Sequence, residues 1–305
     1  METINNKSVI FANALNDLIE NSLDETKVRA IVDDAIKKNP QKMRKIEVKT
    51  PLATTKVEGM FHKAFEDVLI ATASGLNVSL VGGAGSGKTF CAEQVAEALG
   101  LEYYFNGITT EIHDLVGYLD VNNNLIPKPF VQAFVNGGLY LGDEFDSWLV
   151  EPQLKTNAPL SNGYIDLPDG TRVSKHKNFR MIIASNTWGK GATREYVGRN
   201  PMDASTANRF IQIPFDYDNE LELALTPNKE WALYVQSVRK VFEDRRMQMI
   251  ISPRQSEQGS TLLEAGMSRD KVEQFTLWRD LDEDQVRIVK REVESILESN
   301  SLVEV

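Results

Sequence analysis

The stretch Asn77-Val78-Ser79-Leu80-Val81-Gly82-Gly83-Ala84-Gly85-Ser86-Gly87-Lys88-Thr89 decides how this chain folds. Its opening residues are a short apolar run of the kind found in a strand buried within a sheet. The next eight set glycines ahead of Lys-Thr at the spacing of a phosphate-binding loop, and they lie where such a loop belongs, after a strand and before a helix starting near Thr89. Glycines let successive backbone N–H groups turn toward phosphate oxygens, and the helix N-terminus adds its positive end. Lys88 is then placed to reach the β- and γ-phosphates, and the Thr89 hydroxyl to ligate Mg²⁺. The nucleotide-binding set is Gly82, Gly83, Ala84, Gly85, Ser86, Gly87, Lys88 and Thr89, joined by Asp143 below. Four fixed positions coincide by chance in roughly one chain of this length in a hundred. The flanking strand and helix make a plain glycine-rich turn a poor account.

Working outward, Leu139-Tyr140-Leu141-Gly142-Asp143-Glu144 supplies a second apolar strand, and its acidic pair follows Lys88 by 55 residues. Asp143 is suited to the Mg²⁺ shell, so the metal set is Thr89 and Asp143. Glu144 is suited to orienting and polarising an attacking water. A third strand, Phe179 to Ala184, ends in Ser185-Asn186, whose amide can hold the water or a phosphate oxygen. Strand-like runs at Val78 to Val81, Glu102 to Phe105, Leu139 to Leu141, Phe179 to Ala184 and Phe210 to Pro214 alternate with helical stretches. That alternation predicts an α/β fold with a parallel sheet wrapped by helices. Between Gly163 and Val173 two short arms flank Pro168-Asp169-Gly170, which predicts an inserted hairpin over about 162–174.

After Tyr217 the pattern is helical, predicting a lid subdomain over 218–305. Residues 51–217 form the predicted nucleotide-binding domain, and residues 1–50 a helical extension. In that extension Ile10, Phe11, Leu15, Leu18 and Ile19 recur at helical spacing, as do Val28, Ile31, Val32 and Ile36.

Three further segments carry a family resemblance. Asp203-Ala204-Ser205-Thr206-Ala207-Asn208-Arg209-Phe210, followed by a strand, resembles the arginine-finger segment of AAA+ ATPases. Ser252-Pro253-Arg254 resembles the start of their second-sensor helix, with Ser252 a good N-cap and Pro253 a good first residue. Arginine in a first helical turn opposes the helix dipole, a cost that a phosphate partner relieves. The residues from Ile112 to Asp146, including His113-Asp114-Leu115-Val116-Gly117 and Ile126-Pro127-Lys128-Pro129-Phe130, are similar to the MoxR, cobaltochelatase-ATPase and dynein-related group. Tyr196 to Asp203 is similar to versions carried by bacteriophages and bacteria.

The resemblance covers about residues 55–280 and implies a P-loop NTPase core with a helical lid. It implies an ATPase using ATP and Mg²⁺, with Glu144, Asn186, Arg209 and Arg254 as catalytic residues. Arg194, Arg199 and Arg209 all compete for the finger role, and Arg209 is favoured because it precedes the last strand. A finger acting on a neighbouring subunit implies a homo-oligomeric ring, hexameric in the family. Inserts near Leu119 to Phe130 and Asn162 to Ser174 would face its pore, and the client would be a protein, sometimes one with a von Willebrand factor A domain. Gly142 departs from the pattern, since many relatives have an aliphatic residue there.

Bulk properties narrow the alternatives. The net charge is −10, from 44 acidic and 34 basic residues. Such a chain does not condense on phosphate backbones by net attraction. A nucleic-acid-directed motor would rest on the basic segment from Lys27 to Lys49 and on Arg172, Lys175 and Lys177. A nucleotide-gated assembly protein would be expected to carry a damaged acidic pair. Cys91 is the only cysteine, which excludes an intrachain disulfide and fits a packed side chain in a reducing compartment. The start of the chain shows no leader pattern and no apolar run is long enough to span a bilayer, so a cytoplasmic protein without membrane contact is expected. His62, His113 and His176 lack ligand spacing and are expected to be solvated or helix-capping.

Overall fold

The computed structural model describes residues 43–49, 54–279 and 281–301. At its centre lie five parallel strands: β3 (Val78–Val81), β4 (Tyr103–Asn106), β7 (Gly138–Gly142), β10 (Phe179–Ser185) and β11 (Ile211–Pro214). Their spatial order is β11-β3-β10-β7-β4. The chain runs from β3 to the far edge at β4, fills back through β7 and β10, and then crosses to the other edge at β11. Ser185 pairs with Val81 and Ile183 with Gly142, so β3, β10 and β7 end side by side. The crevice beyond such carboxyl ends is where open α/β sheets bind ligands.

Burial of both sheet faces explains why these strands read as nearly continuous apolar runs. Leu139 and Leu141 face one core with Ile182, Ala184, Val78 and Leu80, under helices α1 (Phe65–Ala73) and α2 (Lys88–Ala98). Tyr140, Met181 and Ile183 face the other, against Leu115 and Val116 of α3 (Ile112–Val116) and Phe130 and Phe134 of α4 (Pro129–Asn136). Cys91 lies in the first core at 1% exposure, where burial pushes its thiol up to about 12.

Two small antiparallel ribbons interrupt the alternation. Tyr118–Leu119 (β5) pairs with Leu125–Ile126 (β6), and Tyr164–Asp166 (β8) pairs with Arg172–Ser174 (β9). The second falls within the expected insert at Asn162 to Ser174, and the first begins one residue ahead of the insert expected from Leu119. Between β7 and β8 lie α5 (Val150–Lys155) and α6 (Asn157–Asn162), and α7 (Ala204–Ala207) precedes β11.

The N-terminal boundary needs correction. The sequence pattern places a helical extension up to residue 50, yet β1 (Arg44–Lys49) is a strand, paired antiparallel with β2 (Thr54–Gly59). Basic residues obscured a period of two: Ile46 and Val48 point into the first core, while Lys45 and Lys56 pair with Glu58 and Glu47 across the ribbon. The helical patterns at Ile10 to Ile19 and Val28 to Ile36 lie outside the described residues.

The C-terminal part is helical, comprising α8 (Asn219–Leu225), α9 (Lys229–Asp244), α10 (Pro253–Glu264), α11 (Arg269–Thr276) and α12 (Glu283–Ser301). Its own core contains Trp231, Val235, Val238, Phe242, Val272 and Val293. A buried ion pair binds the first three helices together. Arg239 on α9 donates two 2.8 Å bonds to Glu222 on α8, Glu222 also accepts from Ser256 on α10, and Arg239 Nε donates to Ile251 O at 2.8 Å. Paired and fully hydrogen-bonded, these charges avoid the penalty of isolated burial.

Gly259 on α10 lies against the Trp231 indole, and a Cβ there would come within 2.1 Å of Trp231 Nε1. Gly259→Ala gains about 1 kcal/mol of helix propensity, but the overpacking costs about 1–3 kcal/mol. We expect a lower lid melting temperature by tryptophan fluorescence, with the Trp231 Nε1 bond to Gln255 O broken. Unchanged melting would show that the indole can move aside freely.

Candidate nucleotide-binding and hydrolytic site

The phosphate loop occupies the turn from β3 into α2. Gly85 adopts φ +78°, a left-handed conformation that favours glycine. A Cβ there would meet Ser252 Oγ at 2.9 Å and Arg254 Cγ at 3.3 Å, which places the start of α10 directly on the loop. Helix α2 begins at Lys88 with no side-chain cap and no acidic residue in its first turn. Its first N–H groups therefore point into the loop beside a cation, an arrangement that opposes the helix dipole and suits an anion.

Lys88 Nζ donates to Gly82 O at 2.7 Å, Gly83 O at 2.9 Å and Asn186 Oδ1 at 3.0 Å. Burial drives its pKa down to about 8, although Asp143 and Asp146 oppose that fall. Thr89 Oγ1 donates to Asp143 Oδ2 at 2.8 Å. These two hard oxygens fit Mg²⁺, which takes one or two protein ligands and completes its shell with phosphate oxygens and water. Among the described residues no group of three or more His, Cys, Asp or Glu could hold a metal ion.

Of the residues singled out in the sequence, Lys88, Thr89, Asp143, Glu144 and Asn186 lie together at the ends of β3, β7 and β10, and Arg254 lies over the phosphate loop at the start of α10. The expected capping at Ser252 is present, its N–H donating to Gln255 Oε1 at 2.9 Å with Pro253 opening the helix. Arg209 stands apart. It follows α7, with Nε donating to Ser161 Oγ at 2.9 Å and Nη1 to Ser205 O.

Gly142 has a local reason. The Trp148 indole packs on it, and a Cβ at 142 would lie 3.2 Å from Trp148 Cζ2. Trp148 Nε1 donates to Asp143 O at 2.9 Å, so the buried indole occupies an aliphatic residue's place and fixes the acidic strand end.

Several participants escaped the sequence reading. Asp146 is fully buried, and its Oδ2 accepts from Asn186 N at 3.1 Å, Thr187 N at 2.9 Å and Thr187 Oγ1 at 2.9 Å, tying the acidic segment to the end of β10. Ala84 at the crest of the loop is gripped twice, its N–H donating to the Tyr196 hydroxyl and its C=O accepting from the Tyr217 hydroxyl, each at 2.9 Å. Tyr217 in turn lies under Arg239, 4.5 Å from its ring centroid, which links the loop to the lid's ion pair. Only the position of Asp146, two residues past the acidic pair, was a usable signal; a lone tyrosine has none.

The histidine reading needs one correction. His62 is buried, stacked on Phe215 at 3.7 Å with Nε2 2.8 Å from Asp216 O. Burial lowers its pKa. An apolar neighbour distant in sequence, Phe215, made that environment invisible beforehand.

A five-stranded parallel sheet in this order, with a phosphate loop after β3, an acidic pair directly after β7 and a polar residue directly after the central β10, defines a P-loop nucleoside triphosphatase fold of the AAA+ type. Residues 77–210 match the family described as AAA domain (dynein-related subfamily). The chain is 26% identical over 170 residues to an uncharacterized protein of Staphylococcus epidermidis, covering 50% of this chain and 60% of that protein. It is 27% identical over 192 residues to YojN of Bacillus subtilis, covering 56% of this chain and 58% of that one. The chain therefore spans less than two thirds of the length of these relatives. Among solved structures, NtrX from Brucella abortus in complex with ATP is 16% identical with a TM-score of 0.42, covering 71% of this chain and 51% of that one.

The glycine–indole pairing can be tested by a double-mutant cycle. Gly142→Val is expected to lose about 1–3 kcal/mol by overpacking, and Gly142→Val combined with Trp148→Leu less than the sum of the single losses, by at least about 0.5 kcal/mol. Urea unfolding measures both. Strict additivity would mean that Trp148 is not why residue 142 is glycine.

Proposed function

We propose that this chain hydrolyses ATP with Mg²⁺ as a subunit of a homo-oligomeric ring, hexameric as the resemblance implies, and uses the cycle to remodel a partner protein. The observation that carries the reading is the convergence of Lys88, Asn186, Thr89, Asp143 and Glu144 at one crevice, with Arg254 reaching it from a separate helical subdomain. ATP with its Mg²⁺ supplies the γ-phosphoryl group that passes to water, ADP leaving. Lys88 and Arg254 hold and neutralise phosphate charge, Thr89 and Asp143 hold the metal, Asn186 fixes Lys88, and Glu144 accepts the proton of the attacking water.

Assembly follows from Arg209. Its guanidinium is bonded to Ser161 and Ser205 and sits apart from the carboxylates of its own site. As a finger it has work to do only on a neighbour's phosphates. The lid couples to the site through Tyr217 and Arg239, so movement between core and lid is the output.

A protein client is favoured over nucleic acid by charge and by the hairpin. Arg172, its strongest cation, is committed to Asp166 through 2.6 Å and 3.0 Å bonds and lies over Tyr164. The intact acidic pair argues against a purely nucleotide-gated assembly role. A partner with a von Willebrand factor A domain is the class that the resemblance suggests. No helix among the described residues is long and apolar enough to cross a membrane, which is compatible with work in the cytoplasm, a host's if the chain is phage-encoded.

The test is ATP hydrolysis against protein concentration for the wild type, Glu144→Gln and Arg209→Ala. Specific activity is expected to rise steeply with concentration and to fall by about 10²-fold or more in both variants. Concentration-independent activity that survives Arg209→Ala would reject the ring and finger. A wild type with no turnover would reject the ATPase.

A further inference from the structure

The segment between β10 and α7, residues 187–202, has no helix and no ladder beyond an isolated bridge between Lys190 and Pro201. It is nevertheless pinned across the site. Asn200 donates its backbone N–H to Asp146 O at 2.6 Å and its side-chain amide to Trp148 O at 2.9 Å. Met202 N–H donates to Gly189 O at 2.9 Å, and the Tyr196 hydroxyl holds Ala84 N–H of the phosphate loop. The two Asn200 bonds fix the backbone beside Arg199.

From that anchor the Arg199 guanidinium spans two carboxylates of its own subunit. Nη1 donates to Glu144 Oε2 at 3.2 Å, while Nε lies 3.3 Å from Asp146 Oδ2 as an ion pair without hydrogen-bond geometry. Its side chain is only 13% exposed, whereas that of Glu144 is 45% exposed. Asp146 is fully buried, with one oxygen already saturated by Asn186 and Thr187, and it needs a cation beside it. Carrying Arg199 to another subunit would strip that cation away. This geometry is the opposite of that at Arg209, whose partners are a hydroxyl and a carbonyl.

We infer that Arg199 is a positioning residue for hydrolysis that acts in cis, through Glu144. The inference rests on the ATPase reading above. Glu144 has φ 47°, a left-handed conformation unusual for a residue with a side chain, and its carboxylate is half-exposed, so burial alone does not fix its orientation. Arg199 supplies that guidance. It takes Oε2 and not Oε1, which leaves the second oxygen to hold the attacking water in line. Fixing one oxygen removes the rotational freedom that would otherwise be lost on the way to the transition state. Because Asp146 also accepts from the N–H of Asn186, one buried carboxylate aligns both the water-orienting Glu144 and the Asn186 that holds Lys88.

The experiment compares wild type, Arg199→Ala and Arg199→Lys at limiting and saturating ATP, then mixes each variant with Glu144→Gln subunits. Lysine keeps a charge near Asp146, so that variant folds, but a single ammonium cannot stay beside Asp146 and also bond Glu144 as the planar guanidinium does. We expect both variants to lose about tenfold to a hundredfold in kcat while KM stays within about twofold. Mixing with Glu144→Gln should restore nothing, because both defects lie in the same subunit's site. In a ring, the parallel mixture of Arg209→Ala and Glu144→Gln should regain turnover, since one subunit's finger completes the other's intact acidic pair.

Wild-type kcat in Arg199→Lys would overturn the inference. So would recovery on mixing, which would make Arg199 a trans residue, or a rise in KM at constant kcat, which would make its role one of binding. A wild type without turnover removes the ATPase reading and this inference together. An active wild type indifferent to Arg199 removes only the inference.

Discussion

Three parallel strands must end level for this site to exist. The register that sets Val81 against Ser185 and Ile183 against Gly142 brings the phosphate loop, the acidic pair and Asn186 to one crevice. That register is fixed by alternation on two buried faces: a slip of one residue in β7 would exchange Leu139 and Leu141 for Tyr140 between the two cores. The chemistry therefore depends on packing several residues away from it. Asp146 adds a polar lock to the same alignment, since its carboxylate spans from the end of β7 to the first residues beyond β10.

The parts legible in the sequence were those with short-range periodicity or fixed spacing. Val78 to Val81 followed by the glycine loop, the acidic pair after Leu139 to Leu141, and the helical run after Tyr217 each announce themselves within a dozen residues. The strand Arg44–Lys49 does not, because its basic residues break up the pattern and only Ile46 and Val48 carry the alternating signal. The roles of Tyr196, Tyr217 and His62 are set by partners more than a hundred residues away, at Ala84 for the tyrosines and at Phe215 and Asp216 for His62. No local pattern encodes such contacts.

Gly142 shows how a departure from a family pattern can be absorbed. The strand gives up a side chain, and the volume and part of the rigidity return through Trp148, whose indole N–H also seizes the carbonyl of Asp143. The sequence displayed the loss at position 142 plainly. The compensation lies six residues on, inside a turn whose direction only the folded chain reveals.

The double grip on Ala84 has a consequence for how this loop can vary between relatives. Both tyrosine hydroxyls bind main-chain atoms, so the methyl group of Ala84 takes no part in either bond. Selection can then drift at position 84 among small side chains while the two hydroxyls stay fixed. The trace of this coupling among homologues should be sought as paired retention or paired loss of tyrosine at positions 196 and 217, on opposite sides of a loop whose own letters say nothing about it.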